Sequence, residues 1–148
     1  MDRRAFLAAG GLTLAGTLAG CSFGDGGRQT DGSDSGVAVE TVAEGLESPW
    51  SITPLPDSSQ LLVTERVGRV TLVDRESGAV TAVDGTPEVY ASGQGGMLDS
   101  TLHPEYPAKP WVYLTYSGAN DSGESATHLG RGRLNVGDAR FETFERLH

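Results

Sequence analysis

Residues 61–74 read Leu-Leu-Val-Thr-Glu-Arg-Val-Gly-Arg-Val-Thr-Leu-Val-Asp. Two runs rich in Leu, Val and Thr flank a Val67-Gly68 pair, the pattern of two short strands joined by a tight turn. The same pattern continues on both sides. Upstream, 50–55 is another run, closed by Pro56-Asp57-Ser58-Ser59, where Pro and Asp supply turn chemistry. Downstream, Glu76-Ser77-Gly78 turns the chain into a run at 79–83. Further runs follow at 97–102, 111–116, 128–136 and 140–147. A loop at 103–110, a polar loop at 117–125 and a Gly137-Asp138 turn separate them. Along 128–136, Arg131 and Arg133 alternate outward. No apolar stripe of helical period appears beyond the N-terminal segment.

The expected fold is therefore all-β. Residues 50–83 with their return loop, and 96–147, read as two antiparallel four-stranded units of about fifty residues each, the period of a β-propeller blade. Residues 37–42 alternate as well and read as a strand left over. In a closed propeller such a strand completes the last blade, and two blades cannot close a ring. The expectation is about two blades of an incomplete ring. Trp50 and Trp111 are expected to fill the core between blades.

The charge is acidic, with 20 Asp and Glu against 11 Lys and Arg, a net −9. Lys109 is the only lysine among the basic residues. Salt screens the repulsion of such a surface, since the Debye length falls to ~3 Å at 1 M, and adaptation to high salt is expected. The same balance argues against a nucleic-acid partner, because no basic stripe is present to displace counterions from phosphates.

Residues 1–36 read as targeting and tether. Arg3-Arg4 before Phe6-Leu7 looks like a twin-arginine export signal. The apolar run that follows, to Gly20, is too short to span a hydrocarbon layer of ~30 Å as a permanent helix. Leu18-Ala19-Gly20-Cys21 looks like a lipobox, with Cys21 as the lipidated residue. Cys21 is the only cysteine, so an intramolecular disulfide and a Cys-rich metal site are both excluded. The expected organisation is a signal peptide at 1–20, a lipidated Cys and flexible Gly/Asp/Ser tether at 21–36, and a folded part at 37–148. The chain is expected to be exported by the twin-arginine route and held by its lipid at the outer face of the cell membrane.

A family resemblance rests on ordered motifs. These are Gly45-Leu46-Glu47-Ser48-Pro49-Trp50, Leu55-Pro56-Asp57, Leu62-Val63-Thr64-Glu65-Arg66, Gly68-Arg69 and Leu72-Val73. Gly93-Gln94-Gly95-Gly96-Met97-Leu98-Asp99, Leu102-His103-Pro104 and Val112-Tyr113-Leu114 complete the set. Over residues 39–148 the chain resembles the soluble quinoprotein aldose sugar dehydrogenases, the glucose/sorbosone dehydrogenase family. The resemblance implies a propeller of about six blades. It implies oxidation of an aldose sugar with pyrroloquinoline quinone (PQQ) and calcium, and delivery of electrons to an acceptor. It also implies that the base, a His, and the calcium ligands follow the region present here. The chain alone is then expected to be inactive.

One pocket residue has a match. Gln94 aligns with the family's Gln at the mouth of the sugar and quinone pocket. Its amide can donate to and accept from a sugar hydroxyl or a quinone oxygen. By spacing alone, 93–96 is a Gly-rich turn between blades with an exposed Gln. No catalytic residue and no metal ligand is assigned. His103 reads as a structural corner, and His128 and His148 lack an acidic or His partner at ligand spacing. Asp99 could orient the Gln loop or cap a turn. Arg131 and Arg133 could bind an anion, or simply be solvated strand charges. The competing function is a non-catalytic, surface-anchored propeller fragment used for binding or assembly.

Overall fold

The computed structural model describes residues 37–120, 122 and 124–148, so Arg3, Arg4, Cys21 and the tether lie outside the described residues. Eight strands follow in order: β1 (Pro49–Pro54), β2 (Gln60–Glu65), β3 (Arg69–Asp74), β4 (Val80–Ala82), β5 (Met97–Leu102), β6 (Trp111–Ala119), β7 (Ser125–Asn135) and β8 (Arg140–Arg146). They form two four-stranded antiparallel sheets, β1-β2-β3-β4 and β5-β6-β7-β8, each a meander of neighbours. These are two blades, open rather than closed into a ring, and the described residues contain no helix. Both belong to the compact unit Val39–His148.

The 61–74 stretch folds as read. β2 and β3 pair from Glu65↔Arg69 to Gln60↔Asp74. At the turn, the Gly68 N–H donates to the Glu65 carbonyl at 2.9 Å. Gly68 has φ 110° and lies under Val89, so a side chain there meets both steric limits. Leu62, Val70 and Leu72 face Met97, Val112, Leu114 and Tyr116 of the second sheet and form the core with Leu55, Val83, Leu134 and Phe141. In β7 the inward positions Gly130 and Gly132 make room for aromatic rings. A Cβ would stand 2.6 Å from Phe144 at the first and 2.5 Å from Phe141 at the second. Phe141 and Phe144 meet edge to face at 5.9 Å.

The inner strands are joined by hydroxyls instead of methyls. Ser100 of β5 lies 3.1 Å from the Ser51 hydroxyl and 2.7 Å from that of Thr53. Ser51 also reaches Thr64 at 2.9 Å, and Thr64 donates to the Leu98 carbonyl at 2.5 Å. Ser100 and Thr64 are buried, so these bonds satisfy groups that have lost water.

Two carboxylates fasten the first blade. Glu65 is only 1 % exposed. It accepts from Arg69 Nη2 at 2.7 Å and Nε at 3.2 Å, and from the Glu47 backbone N–H. Burial pushes this carboxyl up, but the Arg69 and Glu47 donors outweigh it and hold it below its ordinary value. Asp74, at the end of β3, accepts from the Ser59 hydroxyl, from the Ser77 N–H and hydroxyl, each at 2.8 Å, and from the Glu76 N–H at 3.1 Å. These donors hold its carboxyl at about 2.

Three expectations need correction. Residues 37–42 form no strand, and Val37 and Val39 are exposed. Alternation specifies the two faces of a strand, but a ladder also needs a partner edge in register. Trp50 is 51 % exposed, not in the core, because Ser51 and Thr53 take the side of β1 that meets Ser100. Trp111 is half-buried on the outward face of β6, with Arg131 4.5 Å and Arg133 5.6 Å from its ring centre. The polar loop is also shorter than 117–125. Ser117, Gly118 and Ala119 pair with Thr127, Ala126 and Ser125, so the β6–β7 ladder runs nearly to the tip.

The free edges have a common character. β4 has three residues, β1 begins and ends in proline, and β8 carries Arg140, Glu142, Glu145 and Arg146.

Candidate functional site

The crossover between the blades presents Gln94. It leaves β4 and runs beside the start of β8, where Asp84 and Phe141 exchange a backbone bond of 2.8 Å from the Phe141 N–H. It then returns to the inner strand β5. Just before β5 the chain makes a tight turn, with the Gly95 N–H donating to the Ser92 carbonyl at 2.8 Å. Gly93, the first central residue, has φ 57°, a conformation that glycine adopts without steric cost. Gln94 is the second central residue and its side chain is exposed.

Below the turn the packing is close. Gly96 has φ 143°, and a Cβ there would overlap the carbonyl oxygen of Arg66. A Cβ at Gly95 would stand 2.8 Å from the Tyr90 carbonyl oxygen and 3.0 Å from the Ser117 hydroxyl. The Ser117 N–H donates to the Gly96 carbonyl at 2.8 Å, and the Tyr90 N–H to the Ser117 carbonyl at 2.7 Å. Arg66 Nη1 donates to the carbonyls of Gly93 and Gly95 at 2.7 and 3.2 Å. An exposed amide therefore stands on a backbone tied down on both sides. It can offer two donors and one acceptor oxygen to a polar ligand. Spacing gave no sign of the Arg66 contact, because Arg66 and Gly93 are 27 residues apart.

The other candidates lie elsewhere. Asp99 Oδ1 accepts the Ser100 N–H at 2.8 Å, beside the register shift between Met97 and Ser100, so its carboxylate caps an irregularity of β5. His103 Nδ1 accepts the Glu105 N–H at 3.0 Å and the ring stacks on Tyr113, the structural corner read from sequence. His128 is buried, with its ring nitrogens 3.2 Å from the Ala119 carbonyl and 3.3 Å from that of His148. With Asn120, Thr127, Arg146 and His148 it lines an open cavity of ≈ 400 Å³ that shares no residue with the Gln94 turn. Arg131 pairs with Glu145 and Arg133 with Glu142, as expected of strand charges. Among the described residues no three His, Cys, Asp or Glu side chains converge on a metal position. These residues do not fit a calcium site, which takes 6–8 oxygen ligands. For a flat polar cofactor they offer one wall, the Gln94 turn.

The family model for glucose/sorbosone dehydrogenases matches residues 46–148. The chain belongs to this family. The family's aldose sugar dehydrogenase YliI of Escherichia coli is 37 % identical over 98 residues, covering 66 % of this chain and 26 % of that enzyme. Quinoprotein glucose dehydrogenase B of Acinetobacter calcoaceticus is 33 % identical over 79 residues, or 51 % of this chain and 16 % of its own. Among solved structures, the apo form of the soluble Escherichia coli aldose sugar dehydrogenase superposes with a TM-score of 0.68 at 32 % identity. That match covers 74 % of this chain and 31 % of the enzyme. The PQQ-bound aldose sugar dehydrogenase of Streptomyces coelicolor gives 0.63 at 32 % identity, over 74 % and 32 %. The chain thus spans 16–26 % of the length of these curated relatives. The relatives are sugar dehydrogenases and quinoproteins, in agreement with the motifs that carried the resemblance.

Proposed function

We propose that the chain supplies two adjacent blades of a PQQ-dependent aldose dehydrogenase, with Gln94 at the mouth of the sugar and quinone pocket. The carrying observation is the Gln94 turn: an exposed amide followed by Gly95 and Gly96, where close backbone leaves no room for a side chain, in a family whose named members oxidise sugars. Oxidation of an aldose removes a hydride from carbon and a proton from its hydroxyl. PQQ, when bound, supplies the acceptor for the hydride. Gln94 orients, donating an N–H to a quinone or sugar oxygen or accepting a sugar hydroxyl. None of the three histidines stands at this turn: backbone groups of their own blade hold His103 and His128, and His148 lines the separate cavity beside His128. Proton removal is therefore assigned to residues outside those described, as are the calcium ligands and the route to the electron acceptor.

The test uses NMR and turnover on the 148-residue chain. The Gln94 side-chain amide signals are expected to shift on titration with PQQ or glucose, with weak, roughly millimolar affinity. Gln94→Ala should abolish the effect on neighbouring signals. Dye reduction with PQQ, calcium and glucose should not exceed the protein-free rate. Undisturbed Gln94 signals would remove the pocket assignment, and turnover would remove the claim that other residues are needed.

We also propose export through Arg3-Arg4 and anchoring through Cys21, supported by the sequence pattern. Cys21→Ser should move the protein from the membrane fraction to the soluble fraction. Continued sedimentation with membranes would count against the lipid anchor.

A further inference from the structure

We propose that Arg66 is the positioning residue for Gln94, a role that rests on the pocket reading above. Arg66 is the first residue past β2, and its own backbone is fixed twice. Its N–H donates to the Ser48 carbonyl at 3.0 Å, and its carbonyl accepts the Met97 N–H at 3.1 Å. From this anchored root the side chain crosses to the turn and donates from one nitrogen to the carbonyls on either side of Gln94. The turn needs such a restraint. Three of the four residues at 93–96 are glycine, which permits the fold but leaves the unrestrained backbone with the most freedom to lose. Neutral hydrogen bonds from Gly95 and Ser117 close the turn. A charge-assisted bridge on the Gly93 and Gly95 carbonyls fixes the direction in which the Gln94 peptide, and hence its side chain, leaves the surface. Lysine keeps the charge but ends one bond short of the arginine Nη1, so it substitutes in part only.

The arrangement separates two jobs: Gln94 touches the ligand, and Arg66 acts through the backbone. Hydrogen exchange and ligand titration on the full 148-residue chain distinguish them. Arg66→Met is expected to speed exchange of the Gly95 amide about tenfold, through loss of the charge-assisted bridge. Amides of Val112 and Leu114 in the core should stay slow, which shows that the fold persists. Arg66→Lys should fall between. PQQ is the ligand probe. Its affinity should drop about tenfold in Arg66→Met and recover in part in Arg66→Lys. Gln94→Ala should weaken PQQ binding with Gly95 exchange unchanged. Unchanged Gly95 exchange in Arg66→Met overturns the clamp. Faster exchange with undiminished PQQ affinity overturns the positioning role. If the wild-type chain takes no PQQ, the pocket reading fails, and the exchange rates still decide whether Arg66 holds the turn.

Discussion

Gly96→Ala is expected to destabilise the chain by about 3 kcal/mol and to displace Gln94 from its place. Two independent costs combine. The φ of 143° lies where an L side chain is strained, worth roughly 1–3 kcal/mol. The new methyl would also overlap the Arg66 carbonyl oxygen, which is backbone and cannot swing aside. Either the Arg66 carbonyl gives up the Met97 N–H it accepts at 3.1 Å, or the 93–96 turn lifts off. Both outcomes undo the contact between the β2–β3 turn and the start of β5. Gly137→Ala is the control, because its nearest neighbour, Asn135 Oδ1, would be at an ordinary 3.5 Å, and it should fall within about 0.5 kcal/mol of the parent. Urea midpoints at constant slope measure both. Equal midpoints for the two variants would show that the turn is not packed as described.

Arg69→Met should lower the urea midpoint at pH 7 well beyond the Gly137→Ala control, although the guanidinium is 47 % exposed. The penalty comes from the partner left behind. Glu65 would keep the Glu47 N–H but lose both guanidinium bonds while remaining buried. The pH dependence contributed by Glu65 then weakens. In the parent, the Glu65 carboxyl is held below its unfolded value, so its stabilisation is present above about pH 4.3 and is lost as pH falls through the folded value. In the variant, burial is opposed by the Glu47 N–H alone, so the carboxyl rises relative to the parent. The destabilisation is then full at neutral pH and shrinks as acid protonates the buried group. Midpoints at pH 7, 5 and 4 should converge between parent and variant. Asp74, also held low, contributes equally to both and cancels in the difference. A gap that stays constant or widens toward pH 4 would contradict the role given to Glu65.

Strands β2, β3 and β6 were legible as β-branched or aromatic runs and the rest from the turn residues that bound them, and the two four-stranded sheets follow from their spacing. What failed was the sidedness of single residues. Trp50 and Trp111 are large and apolar, but strand parity is set by neighbours: Ser51 and Thr53 claim one side of β1, and Val112 and Leu114 one side of β6. The 37–42 segment shows the complementary error, since an alternating pattern cannot state whether a partner edge exists. At the candidate site, the motif gave Gln94 and its glycines. The Arg66 bridge and the burial of Glu65 stayed hidden, because the first depends on how a turn meets the crossover and the second on how Glu47 and Arg69 close over one carboxylate.

Open sheets invite other chains to add strands, and three of the four edge strands here discourage it by different means. Proline at both ends of β1 withholds backbone donors where an incoming chain would begin to pair. The three residues of β4 are too few to hold a guest. Charged side chains along β8 would have to be stripped of water by any intruder. Among the described residues, these strand margins thus each carry a feature that opposes edge-to-edge pairing.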